Sequence, residues 1–257
     1  MIGQIVPTLN FSPFRRSLLF RTIAISSLLS QQSSAMSSSA STSTQKGALI
    51  FLHGLGDTPL GWSSLEDQLP ELQPNLSKLE YVFPASPTIP ISINGGMNMP
   101  GWFDLYDWPI GVGIKNDDKG LEKAVKCIED YVDELQKKGI DRSKIVIGGF
   151  SQGGAVALRT VYNRSSDGKM PYAGCVNLSG WLTFEDGIEN KDVPLFWGHG
   201  SFDDKVLFEQ QQYGVQKLTE MGVTQIQADS YSMGHSSHPK EMIAFAKFLN
   251  DILFKDE

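Results

Sequence analysis

The pentapeptide Gly149-Phe150-Ser151-Gln152-Gly153 sets the tightest limit on how this chain can fold. The apolar run KIVIGG (144–149) precedes the serine, and QGGAVALRTVY (152–162) follows it. A short apolar run bounded by glycine reads as a buried strand, and the longer segment after it as a helix. A serine caught between the two sits on a tight turn, with its hydroxyl exposed at the carboxyl end of a sheet. The flanking glycines let strand and helix approach closely around that turn. Ser151 also opens the helix, where it meets the positive end of the helix dipole. A buried serine in a Gly-rich strand-to-helix turn would show the same five residues, so the rest of the chain must decide.

The rest of the chain repeats the strand–helix alternation. Apolar runs ALIFLH (48–53), LEYVFP (79–84), AGCVNLS (173–179) and PLFWGHG (194–200) match KIVIGGF (144–150) in length and bounding residues. Such runs fit strands of a parallel sheet buried on both faces. Residues 118–138 carry Leu121, Val125, Ile128, Val132 and Leu135 at spacings of three and four, with Gly139 as a stop. Residues 205–221 and 239–254 repeat the helical pattern, and 224–231 is strand-like. The expectation is an α/β fold, a mostly parallel doubly wound sheet in one domain over 47–255. The 257-residue length suits such a domain.

Charge separates the first 46 residues from this body. No Asp or Glu occurs before Asp57, while the whole chain carries a net charge of −7. That balance argues against a general affinity for nucleic acid. The stretch FRRSLLFRTIAISSLL (14–29) is interrupted by Arg21 and is too short for a membrane span of about 20 residues. QQSSAMSSSASTST (31–44) cannot build a core. Residues 1–46 therefore read as a disordered tail or a targeting segment. Two cysteines, Cys127 and Cys175, suit a reducing compartment. The cytoplasm is the simplest location, and a mitochondrion or plastid is the alternative if residues 1–35 act as a transit peptide.

Residues 84–117 resist the alternation. Five prolines and five glycines make them a long loop, and Met97, Met99, Trp102, Phe103, Leu105, Tyr106 and Trp108 make it apolar. Loops beyond about 12–15 residues in a compact domain are usually functional or disordered. This composition suits a packed binding loop, with Met99, Trp102 and Phe103 as the candidate substrate contacts.

A serine hydroxyl needs a base to attack a carbonyl. In enzymes built on this strand–turn–helix serine the order along the chain is Ser, acid, His. Of the four histidines, His53 precedes Ser151, and His199 ends a strand before any acid of the correct order. His238 precedes Pro239 at a helix start, which suits capping. His235, in the small-residue loop SMGHSS (232–237), is the candidate base. Asp203 and Asp204 both follow the strand PLFWGHG, and spacing alone leaves them in competition. An oxyanion needs backbone N–H donors. Gln152 supplies one, as the residue after the nucleophile, and Leu55 in HGLG (53–56) supplies the other.

Six blocks together carry a family resemblance: LHGLGDTPLGW (52–62), FPASPTIPIS (83–92), MPGWFDL (99–105), GGFSQGGAVAL (148–158), GHGSFDDKV (198–206) and GHSSHPKEM (234–242). In that order they resemble the acyl-protein thioesterases of the phospholipase/carboxylesterase family, within the α/β-hydrolases. The resemblance covers about 47–254 and implies the α/β-hydrolase fold. It places the nucleophile on Ser151, the histidine on His235 and the acid on Asp203. Asp204 stands where the family usually has Pro, and Gly101 where it usually has a Ser- or Ala-like residue. The implied function is a serine hydrolase of acyl thioesters and esters, acting on S-acylated proteins, with the 84–117 loop helping to form an apolar acyl channel. No metal or organic cofactor is implied. A general carboxylesterase or lysophospholipase acting on small esters or lipids would use the same triad. A hydrolase fold kept as a small-molecule receptor is the reading outside enzymes.

Overall fold

The computed structural model describes residues 47–163 and 171–255. The tail or targeting segment expected over 1–46 lies outside the described residues.

Six strands form one sheet: β1 (Gly47–Leu52), β2 (Leu79–Val82), β5 (Ile145–Phe150), β6 (Gly174–Leu178), β7 (Leu195–Gly200) and β8 (Ile226–Tyr231). Their order is β2-β1-β5-β6-β7-β8, and every pairing is parallel. Parallel neighbours need crossovers, and four helices lie in them: α1 (Leu65–Leu72), α2 (Asp118–Lys137), α3 (Gln152–Tyr162) and α4 (Glu209–Glu220); β6 reaches β7 through the helix-free stretch 179–194, and α5 (Pro239–Phe254) follows β8. The expected doubly wound α/β architecture is present.

The sequence of β1 shows why the sheet is covered twice. All six residues of GALIFL are buried. Successive side chains of a strand point to opposite faces. Ala48, Ile50 and Leu52 join a core with Leu121 and Ile128 of α2 and Val156 of α3, whereas Leu49 and Phe51 join another with Leu65 and Leu69 of α1 and Phe245 of α5. Burying one such Leu, Ile or Phe side chain contributes about 1.5–3 kcal/mol. The continuous apolar runs are thus a consequence of burial on both faces.

Two differences from the sequence reading bear on the site. The 84–117 stretch, read as a loop, holds an antiparallel hairpin, β3 (Thr88–Ile91) with β4 (Met97–Pro100). Its prolines hid it, since Pro cannot donate to a ladder and within sheets is confined to edge strands, first residues and bulges. Gly95 and Gly96, at φ 66° and 78°, make its turn. Helix α4 starts at Glu209, four residues later than its apolar pattern suggested, because the turn after β7 occupies residues 203–208.

Candidate active site

The catalytic and oxyanion candidates follow the carboxyl ends of parallel strands, whereas Met99, Trp102 and Phe103 lie in or just after the antiparallel strand β4. Ser151 follows β5, His53 to Gly56 follow β1, Asp203 follows β7, and His235 lies in the loop between β8 and α5.

The turn at Ser151 is strained. Its backbone sits at φ 55° and ψ −120°, a region side-chain-bearing residues rarely occupy. The surroundings enforce it. The Ser151 N–H donates to Leu178 O on β6 at 2.8 Å, and the Ser151 carbonyl accepts from Ala155 N at 3.1 Å. A Cβ on Gly153 would collide with Leu52 O, and one on Gly149 with the Gly153 backbone. Only glycine fits where the strand, the turn and α3 meet this closely.

His235 Nε2 lies 2.9 Å from Ser151 Oγ, and His235 Nδ1 lies 2.7 Å from Asp203 Oδ2. Asp203 is buried, and its second oxygen accepts from Lys205 N at 2.9 Å and Val206 N at 3.0 Å. Burial alone would raise the Asp203 pKa. The hydrogen bond and charge of His235 and these two amides outweigh it and hold the carboxyl below its ordinary value. Phe150 packs against the His235 ring with centroids 4.7 Å apart, and Phe202 N donates to Met233 O at 3.0 Å. The His235 loop is therefore tied to the Asp203 turn by backbone. Asp204, the competing acid, has its side chain 74% exposed and pairs with Lys205 at 3.2 Å, away from His235. His238 takes the capping place on α5, its Nδ1 accepting from Lys240 N at 3.1 Å.

Among the described residues, neither the Leu55 nor the Gln152 amide N–H has an acceptor. Two unengaged amides flanking the serine suit a developing oxyanion. The Gln152 side chain does something the sequence reading missed. Its Oε1 accepts from Trp102 N at 2.8 Å and its Nε2 donates to Phe103 O at 2.7 Å. It clamps the backbone of the MPGWFDL block beside the nucleophile. No local pattern signals this, since the partners are about fifty positions apart.

That clamp corrects part of the expected substrate contact. Phe103 is 1% exposed and meets Trp181 edge-on, with centroids 5.7 Å apart, so it belongs to the core. Trp102 is 2% exposed, and its indole N–H donates to His53 O at 2.8 Å. It supports the oxyanion loop from beneath and also lines a separate cavity of about 580 Å³ between the hairpin and α2. Met99 remains partly exposed, with Asn94 Nδ2 donating to its sulfur. Gly101 faces Leu55: a Cβ there would stand 2.9 Å from Leu55 Cδ1. The segment after Trp102 reaches the acid turn as well. Ile110 forms a parallel bridge with Val206, Ile110 N donates to Lys205 O at 2.8 Å, and Leu207 N donates to Ile110 O at 3.0 Å.

Among the described residues, no helix is long and apolar enough to cross a membrane, and no group of three or more His, Cys, Asp or Glu is disposed to hold a metal ion.

Known proteins resemble this chain along most of its length. An acyl-protein thioesterase 1 from Candida albicans is 34% identical over 233 residues, covering 86% of this chain and 99% of that protein. The crystal structure of Arabidopsis thaliana SOBER1 superposes with a TM-score of 0.73 at 31% identity, covering 80% of this chain and 99% of SOBER1. That of Zea mays acyl-protein thioesterase 2 gives a TM-score of 0.68 at 30% identity, covering 82% and 95%. The family model described as phospholipase/carboxylesterase matches residues 34–253. With a match of that extent, the chain belongs to the phospholipase/carboxylesterase family.

Proposed function

We propose that this protein is a serine hydrolase of acyl thioesters and esters that removes palmitoyl-type groups from S-acylated proteins, with residues 47–255 as its catalytic domain. The observation that carries the reading is the unbroken line from Ser151 Oγ through His235 to Asp203. The Candida and maize relatives, named as acyl-protein thioesterases, support the substrate class.

His235 Nε2 accepts the Ser151 proton as Oγ attacks the acyl carbonyl. The Leu55 and Gln152 amides hold the resulting oxyanion. As the tetrahedral intermediate collapses, His235 returns the proton to the leaving sulfur or oxygen, leaving an acyl-Ser151 ester. Water then attacks that ester while His235 takes its proton, and the fatty acid departs as Ser151 is restored. Asp203 holds the imidazole in the Nδ1–H tautomer and stabilises its cationic form without itself becoming protonated. The reading invokes no metal or organic cofactor.

A cytoplasmic site of action belongs to this proposal, and both described cysteines, Cys127 and Cys175, are free thiols. The deciding experiment compares hydrolysis of a palmitoylated peptide thioester with acetyl and butyryl esters, for the full chain and for Ser151→Ala. Release of palmitate by the wild type alone supports the reading. Turnover confined to small esters replaces it with a general carboxylesterase. Tight ligand binding without turnover points to a receptor.

A further inference from the structure

His199, set aside as a base because it precedes the acid, lies directly behind that acid. It is the penultimate residue of β7 and is completely buried. Its Nε2 lies 2.9 Å from Val206 O. A carbonyl can only accept, so this nitrogen carries the proton. The same nitrogen is 3.5 Å from Asp203 Oδ2, the oxygen facing His235. Val206 closes the circuit, since its own N–H donates to Asp203 Oδ1 at 3.0 Å. The turn from Asp203 to Val206 is therefore pinned twice, by Asp203 at its start and by His199 at its far end.

Burial lowers the pKa of His199, despite the opposing effects of the Val206 carbonyl and Asp203, and the positive form of His235 lowers it further. Asp203 and His235 are the titratable groups that face it. A neutral imidazole suits the place, because a second cation there would compete with His235 for the carboxylate. Its Nδ1 has no partner among the described residues, so the ring is held through Nε2. The Phe208 ring lies beside it, with centroids 6.0 Å apart.

We infer that His199 is a positioning residue for the acid of the relay: as an N–H donor to Val206 it fixes the turn that aims Asp203 Oδ2 at His235. The inference rests on the proposed role of Asp203.

Two variants of the full chain test it in the thioesterase assay. His199→Phe keeps the ring and removes the donor; His199→Gln keeps a donor amide. For His199→Phe, kcat should fall by up to about 100-fold, the effect of a small misplacement away from the chemistry, with KM little changed. The acid limb of the kcat/KM profile should move to lower pH, because a misaimed carboxylate stabilises the His235 cation less. His199→Gln should recover both kcat and the limb. A role confined to stability predicts a lower Tm with kcat per folded molecule and the acid limb unchanged. That result in His199→Phe overturns the inference. So does a folded His199→Gln enzyme more than tenfold slow, which keeps the test decisive even where the Phe variant does not fold. Asp203→Asn, run alongside, isolates the underlying reading: full activity there removes Asp203 as the acid, independently of either His199 variant.

Discussion

Trp102 and Gln152 are joined backbone to side chain, the Trp102 amide donating to Gln152 Oε1 at 2.8 Å. The residue expected to supply an oxyanion amide thus also holds, through its side chain, the segment under the oxyanion loop. Gln152→Leu keeps the backbone donor and removes the clamp. It strands the buried Trp102 N–H and Phe103 carbonyl, each at about 1–3 kcal/mol. We expect a clear fall in Tm and a loss of roughly tenfold or more in kcat as Leu55 and Gln152 lose register. Unchanged kcat in a folded Gln152→Leu enzyme would show that the clamp serves stability alone.

Removing the nucleophile should leave a folded, inactive protein. Ser151→Ala is expected to lower kcat by roughly 10⁶-fold, the scale of serine protease knockouts. Substantial esterase activity in the folded variant would point to another nucleophile.

The adjacent acids should behave differently. Asp203→Asn removes the acceptor of His235 Nδ1–H and should lower kcat by up to about 10⁴. Asp204→Asn alters only an exposed pair with Lys205 and should change kcat little. Steady-state kinetics on both variants would decide the assignment, and a reversed order would overturn it.

Stability should depend on pH through Glu241. This carboxyl is completely buried in the first turn of α5; one oxygen accepts from His238 N at 3.3 Å and the other has no partner among the described residues. Burial pushes its pKa from 4.5 up to about 8. The folded state therefore holds the proton more tightly than the unfolded chain. The resulting stability is fully present below the ordinary pKa and is lost as pH rises through 8. The slope inside that window is at most about 1.4 kcal/mol per pH unit. Urea unfolding of the wild type and Glu241→Gln between pH 5 and 9 checks this. Parallel stability curves would sink the idea.

The place where Gly101 faces Leu55 should tune acyl length. In Gly101→Ala the new methyl presses on the side-chain ends of Leu55, at 2.9 Å, and Ile91, at 3.3 Å, and on no backbone atom, so the fold should persist. Each methylene buried in an apolar channel contributes about 0.8 kcal/mol. The wild-type rate should therefore rise with chain length until the channel is full, and the variant's optimum should shift. A kcat/KM series from C2 to C16 below micelle formation is the measurement. A steady fall from C2 in the wild type would indicate a short, closed pocket.

The legible parts of the fold were those whose pattern is local. Buried parallel strands read as apolar runs, and α2 and α5 were bounded to within a residue by their spacing and by Gly139 and Pro239. What escaped depends on distant partners. Pro90 and Pro100 read as loop residues, yet they sit in an antiparallel ladder opposite Asn98 and Thr88. Phe103 and Trp102 looked like substrate contacts because composition cannot tell an apolar residue facing a ligand from one facing the core. Trp181 and His53, which hold them, lie far away in sequence. His199 was set aside as a base because chain order excludes it from that role, but order says nothing about what stands behind the acid.

The bridge between Ile110 and Val206 ties the segment beyond Trp102 to the backbone of the acid turn. Whatever displaces residues 105–112 on arrival therefore pulls on the group that aims His235. An ill-fitting acyl chain would lodge and yet stay intact, its mismatch felt as a detuned relay. For a chain that presses on this segment, discrimination would then register in turnover more than in occupancy, and a tight binder would not thereby be a good substrate.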